Sequence, residues 1–182
     1  MERSKKIKTS QNEENIMKLK EGIAKLEGSK VFKDFLDENP DHYLAHAFMM
    51  YGTDEWQIGY YGKKEDKVVV FMVQEGEDVK RNPAEEVFKK PESKIKELNL
   101  EDVKIDLEEA IGIADKLMKE KYPVENVTKT IVIVQNLDKV VYNLTIVTHT
   151  FNIINVKINA GSGEIISESK HSILGDLGYQ VK

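Results

Sequence analysis

Val156-Lys-Ile-Asn-Ala-Gly-Ser-Gly-Glu-Ile-Ile166 has the pattern of a β-strand that ends in a glycine turn. Apolar residues alternate with polar ones up to Ala160, which is the spacing of a strand with one buried face. Gly161-Ser-Gly163 then supplies a turn, and the apolar residues Ile165 and Ile166 follow it. Because a strand that ends in such a turn can fold its own tail back onto the sheet, the stretch predicts antiparallel pairing near the end of the chain.

The rest of the chain shows helical spacing followed by strand-like spacing, twice in the same order. Helical spacing extends from Ile16 to Leu36, with Ser29 as an internal cap. It returns at Asp106, where Asp106 and Glu109 have the spacing of a capping box. Each helical part precedes three predicted strands, which are Leu44 to Tyr51, Trp56 to Tyr61, Lys67 to Gln74, Val127 to Gln135, Lys139 to Thr148 and Phe151 to Ala160.

The two halves align at a nearly constant offset, which favours a duplicated plan. Trp56 and Ile58 correspond to Val140 and Tyr142, and similar matches occur in the helices and the last strands. We therefore predict an α+β fold of two tandem units, each a helix packed on a three- to four-stranded antiparallel sheet. The two sheets could pack together or extend each other edge to edge. The predicted parts are a disordered tail (1–14), a first unit (15–80), a connector with a short helix that starts at Asn82 (81–103), a second unit (104–167) and a C-terminal tail (168–182).

The second unit resembles a PepSY domain. The helix Asp106-Leu-Glu-Glu-Ala-Ile-Gly-Ile-Ala114, the break at Tyr122-Pro123 and the ending Val156 to Ile166 are similar to the helix and the terminal strand of that family. Asn159 stands where the family usually has Asp, and Ser162 stands where it usually has Thr. The resemblance covers about Lys104 to Ser167, and the first half resembles the family in architecture alone. It implies a cystatin-like fold and a non-catalytic module with a binding or peptidase-modulating role.

Composition excludes several classes of protein. The chain has no cysteine, which removes disulfides, thiolate metal sites and a cysteine nucleophile. Its net charge of −5 disfavours generic nucleic-acid binding, which needs a basic surface. A run of about 18 apolar residues is absent from the sequence, so we predict no membrane span. The first residues lack a signal-peptide pattern, which predicts the cytoplasm by default and an extracytoplasmic location if the sequence is a processed form.

Two histidines four residues apart, His42 and His46, are the best candidates for a metal site. In the predicted strand they would lie about 13 Å apart at ~3.3 Å per residue, which is too far to share one ion. The sequence also contains neither a Gly-x-Ser-x-Gly elbow nor a phosphate-binding glycine loop. We therefore predict no catalytic, cofactor-binding or metal-binding residues, and no cofactor.

Three side chains are candidate contacts for a partner. Tyr61 has the opposite strand parity from Trp56, so we expect it to be exposed, and Asn143 and Thr145 lie on the polar face of their strand. These features predict a non-enzymatic module that binds a protein or peptide. The alternative is a small-molecule carrier with an apolar pocket between helix and curled sheet.

Overall fold

The computed structural model describes residues 16–83, 85–86 and 94–173, and in these ranges the α-helices lie on one face of one antiparallel sheet. The helices are α1 (Leu19–Gly28), α2 (Lys30–Glu38) and α3 (Leu107–Lys121), and a 3-10 turn spans Leu100–Asp102. The strands are β1 (Tyr43–Met50), β2 (Glu55–Gly62), β3 (Lys67–Gln74), β4 (Lys80–Arg81), β5 (Glu85–Glu86), β6 (Val127–Asn136), β7 (Val140–Thr148), β8 (Asn152–Asn159) and β9 (Ile165–Ser172).

Side-chain caps start two of the helices where the sequence predicts them. The Ser29 hydroxyl accepts a hydrogen bond from the Phe32 N–H at 3.3 Å, and the Asp106 carboxylate accepts one from the Glu109 N–H at 2.9 Å. Each cap satisfies a backbone donor that has no partner within the first helical turn. Both predicted helix starts are therefore confirmed.

The prediction of two tandem helix-on-sheet units is wrong. Strand β1 pairs antiparallel with β6, from His46 opposite Gln135 to Met50 opposite Ile131. This pairing gives one continuous sheet with the order β4-β3-β2-β1-β6-β7-β8-β9, and β5 also pairs with β3. The physical reason is that β1 and β6 would each be an edge strand in a separate unit. Pairing them satisfies the backbone hydrogen-bonding groups of both.

A single core also joins the two halves. Residues from α1, α2 and α3 pack against inward-facing side chains of the sheet in one hydrophobic cluster of the described chain. The largest fully buried members are Trp56, Tyr142, Phe35 and Phe71. The indole N–H of Trp56 donates to the Met17 carbonyl at 2.7 Å, so its polar atom is satisfied despite burial. The helices therefore cover one face of the sheet, and the opposite face carries no helix in the described chain.

The predicted helix start at Asn82 is also wrong. The Asn82 N–H donates to the Val70 carbonyl at 2.8 Å, and Glu85 pairs with Val68, so this segment is extended along β3. Pairing with an open strand edge has overridden a local helix signal, which is a common outcome for short segments. Strand β9 extends past the predicted boundary at Ser167, because the chain after the glycine turn folds back onto β8.

Candidate binding surface on the open face of the sheet

The face of the sheet opposite the helices, here called the open face, has an apolar centre. Phe48 and Met50 of β1 lie opposite Ile133 and Ile131 of β6. All four side chains are partly exposed, and none belongs to a buried cluster of the described chain or packs against one. Strand parity explains their position, because Ala47 and Met49 point into the core between them. The four therefore form an apolar patch on the surface of β1 and β6, the two middle strands of the sheet.

A polar cluster borders the apolar patch on β7 and β8. The Asn155 side-chain amide donates to the Asn143 side-chain oxygen at 2.9 Å and to the Thr145 hydroxyl at 3.2 Å. It also lies 3.2 Å from the Leu144 carbonyl. These contacts fix the orientation of Asn143, whose own amide N–H groups are not used within the described chain. The cluster therefore presents ordered hydrogen-bonding groups beside apolar side chains, which is the usual composition of a binding surface.

Two basic side chains lie on the β6–β8 side of the open face, whereas the acidic side chain of Glu55 lies on its β2 side and accepts a hydrogen bond from Gln57. Lys157 lies directly across from Asn143, and Lys129 lies across from Val147, both on the open face. Neither lysine forms an ion pair within the described chain. The whole protein has a net charge of −5. Basic residues at the open face of an acidic protein favour a partner segment with acidic residues.

The expected exposure of Tyr61 is wrong. The side chain is 4% exposed and packs against Tyr43, with ring centroids 5.6 Å apart, in a second small cluster with Ala45 and Val68. Ile95 of the connector covers this cluster, and the Tyr43 hydroxyl donates to the Ile95 carbonyl at 2.8 Å. Strand parity predicts the correct face of the sheet, but the connector buries that part of it. Asn143 and Thr145 lie on the open face as their alternation predicts.

The structure separates His42 and His46. His42 lies on the helix side, where its ring contacts Phe35 with centroids 5.1 Å apart. His46 lies on the open face against Gly59, and burial lowers the pKa of His46. Within the described ranges, no group of three or more His, Asp or Glu side chains has the geometry of a metal site.

A buried carboxylate, Glu125, lies at the end of the sheet near β9. It accepts hydrogen bonds from Lys170, Thr150 and Asn152, and its side chain is 3% exposed. The Lys170 ammonium, followed by the Thr150 hydroxyl, lowers the pKa of Glu125 to about 2. A general acid needs a pKa near the working pH, so this environment suits a permanently charged structural link rather than proton transfer.

Sequence reasoning missed the apolar patch and the Glu125 network. The alternation Ala47, Phe48, Met49 and Met50 contains the signal for the patch, but both parities are apolar, so the sequence does not show which residues are buried. Glu125 has no sequence signal, because its partners lie 25 to 45 residues away.

Comparison with known proteins gives a likeness of fold. One solved structure, a candidate lipoprotein from Clostridium difficile 630, superposes with a TM-score of 0.50 at 15% sequence identity. The match covers 78% of this chain and 90% of that one. No family model and no curated protein sequence matches the chain. Across the described ranges, no helix is both long enough and apolar enough to cross a membrane.

Proposed function

We propose that this protein is a non-enzymatic module that binds an extended segment of a protein or peptide on the open face of its sheet. The segment would place apolar side chains on Phe48, Met50, Ile131 and Ile133. Its polar groups would reach the cluster of Asn143, Thr145 and Asn155. Acidic residues of the segment would pair with Lys129 and Lys157.

One observation carries this proposal. The helix-facing side of the sheet is covered by a packed core. Among the described residues, the centre of the open face is apolar and partly exposed. Contiguous exposed apolar surface with polar groups at its border is characteristic of interaction sites. The ordered Asn155 amide lowers the entropic cost of binding, because Asn143 and Thr145 are already oriented.

The carrier alternative has less support. Its pocket would lie between the helices and the sheet, where Trp56, Phe35 and Tyr142 are each at most 1% exposed and occupy the space. The narrower role in modulating a peptidase depends on the PepSY resemblance alone. The order of α3 and the four following strands is consistent with that resemblance, which remains a prediction.

The cellular location is part of the proposal. The sequence predicts the cytoplasm by default. The fold neighbour is a candidate lipoprotein, which supports the extracytoplasmic alternative. Fractionation of the native host with an antibody against this chain distinguishes the two.

The proposal is tested with a peptide display library selected against the purified full chain. We expect the enriched peptides to combine apolar and acidic residues. Ile133→Lys, which puts a charge in the centre of the patch, should weaken binding of these peptides at least about tenfold, as loss of a central apolar contact does in other interfaces.

The matched control is Val124→Lys, because Val124 is 79% exposed and lies in the loop between α3 and β6 rather than on a strand of the open face. It should leave peptide binding unchanged. Equal binding by Ile133→Lys and the wild type would contradict the proposal, provided that fluorescence of Trp56, the single tryptophan, shows the variant to be folded.

A further inference from the structure

Exposed apolar side chains lie on and next to β9, which is an edge strand of the sheet. Strand β9 is the last strand of the sheet order, and within the described chain it pairs with β8 alone. Ile165, Ile166 and Ile173 are 37%, 47% and 40% exposed, and they are half of the large apolar residues of the described chain that are exposed. An edge strand with exposed apolar side chains is a template for pairing with another strand.

The hydrogen bonds of β9 show which backbone groups point outward. The Ile173 N–H donates to the Phe151 carbonyl at 2.9 Å, so Ile173 turns its backbone groups toward β8. The direction of the backbone N–H and C=O groups alternates from residue to residue along an antiparallel strand. Ser169 pairs with Asn155 and lies four residues before Ile173, so it also turns these groups toward β8. The N–H and C=O groups of Glu168 and Lys170 therefore point away from the sheet, where an added strand would meet them.

The charges on this edge favour a second copy of the same chain. Two copies of β9 related by a two-fold axis must pair antiparallel. Two residues that face each other in such a pair either both turn their N–H and C=O groups toward the other copy or both turn them away. The axis therefore passes through a residue. An axis at Glu168 opposes two carboxylates, and an axis at Lys170 opposes two ammonium groups. An axis at Ser169 places Glu168 of each copy opposite Lys170 of the other, which is the favourable arrangement.

The same register brings apolar ends together. With the axis at Ser169, Ile165 and Ile166 of one copy come close to Ile173 of the other, at both ends of the paired segment. A lysine in the middle of an edge strand opposes pairing with an arbitrary strand, because its charge would lose water without a partner. Lys170 already binds Glu125 of its own chain, and Glu168 of the second copy would add a further opposite charge beside it.

The intrachain contacts are compatible with this pairing. Glu168 binds Lys121 at 2.5 Å and Lys170 binds Glu125, so each side chain already has an opposite charge within its own chain. Cross-strand contacts between Glu168 and Lys170 would extend these pairs into a row of alternating charges. We propose that β9 is a homodimer contact in which two copies pair antiparallel about Ser169 and continue the sheet.

A register-specific cysteine experiment tests this proposal, because the natural chain contains no cysteine. Ser169→Cys places two thiols at the axis, in a non-hydrogen-bonded pair with a Cα separation of about 4.5 Å, which permits a disulfide. Ser167→Cys is the matched control on the same strand and face. Its two copies would lie four residues apart along the strand, about 13 Å, which is beyond disulfide reach.

We expect the full chain to dimerise in sedimentation experiments, and Ser169→Cys to form the covalent dimer at least about tenfold faster than Ser167→Cys under mild oxidation. Mixing Ser167→Cys with His171→Cys should restore cross-linking, because these positions face each other. A monomer at all concentrations, or equal rates for both single variants, would overturn the proposal. Dimerisation only after removal of residues 174–182 would also overturn it. Peptide binding on the open face is measured separately, so either proposal can fail alone.

Discussion

His46 lies directly over Gly59 on the neighbouring strand, and a Cβ atom at position 59 would be 2.3 Å from the imidazole Cε1. The glycine is therefore what lets the ring lie flat on the open face of the sheet. This contact fixes one border of the apolar patch, because His46 and Phe48 have the same strand parity.

Gly59→Ala should destabilise the protein by about 1–3 kcal/mol, since the added methyl group must displace a buried ring. Urea unfolding followed by Trp56 fluorescence measures the change. His46→Ala in the same chain should recover part of the loss. Gly112→Ala on α3 is the control, because no atom other than those of its chain neighbours and its own helix backbone lies within 4 Å of its Cβ position. It should stabilise the helix by about 0.5–1 kcal/mol. A Gly59→Ala protein as stable as the wild type would show that the ring has room to move.

Substitution of two buried threonines by valine should change the free energy of unfolding in opposite directions. The Thr130 hydroxyl is buried and makes no hydrogen bond in the described chain, whereas the Thr148 hydroxyl bonds to Thr150 and to the Asn152 N–H. Thr130→Val should raise the free energy of unfolding by about 1 kcal/mol, because an unsatisfied polar group is removed. Thr148→Val should lower it by about 1–3 kcal/mol, because its partners lose a buried contact. Denaturant titration of both variants gives the comparison, and equal signs would contradict the assignment.

The Glu125 network predicts a pH dependence of stability. Its folded-state pKa of about 2 is below the unfolded value, so its contribution is present above the unfolded pKa and is lost as pH falls through the folded pKa. The free energy of unfolding should therefore decrease as pH falls from about 5 to 2. In Glu125→Gln, which cannot ionise, that decrease should be smaller. Unfolding at pH 7 and pH 3 measures both slopes, and identical slopes would remove Glu125 from this role.

The turn between β8 and β9 depends on the acceptor at Asn159. Its side-chain oxygen accepts hydrogen bonds from the Gly161 N–H at 2.8 Å and the Ser162 N–H at 3.2 Å. Asn159→Asp keeps this acceptor and adds charge, so its stability should equal or exceed that of the wild type. Asn159→Ala leaves both donors without a protein partner and should cost about 1 kcal/mol. Thermal unfolding of the three proteins tests the order, and a tolerated Asn159→Ala would contradict it.

Local sequence patterns predict much of the secondary structure. The strand Lys67–Gln74 is predicted with its observed ends, and the caps at Ser29 and Asp106 are confirmed, because these features depend on residues close together in the chain. The helix start at Asn82 fails for the opposite reason, since the edge of β3 captures that segment.

The candidate site is predicted in part. Alternation in β7 places Asn143 and Thr145 on the face opposite the core, and the structure agrees, although their contact with a partner stays a prediction. The same reasoning gives Tyr61 its face but not its burial, because the cover comes from Ile95, 34 residues later in the chain. The apolar patch is not predicted at all, since it forms only where β1 meets β6.

The sequence alone determined the order of the three α-helices and of strands β1 to β3 and β6 to β8, the glycine turn before β9 and the absence of cysteine chemistry, because each depends on residue type and short spacing. Tertiary structure decided that β1 joins β6, that Glu125 meets Lys170, and that one face of the sheet stays open. These outcomes depend on which distant edges and charges find each other when the core forms, and that information is not contained in the periodicity of any single segment.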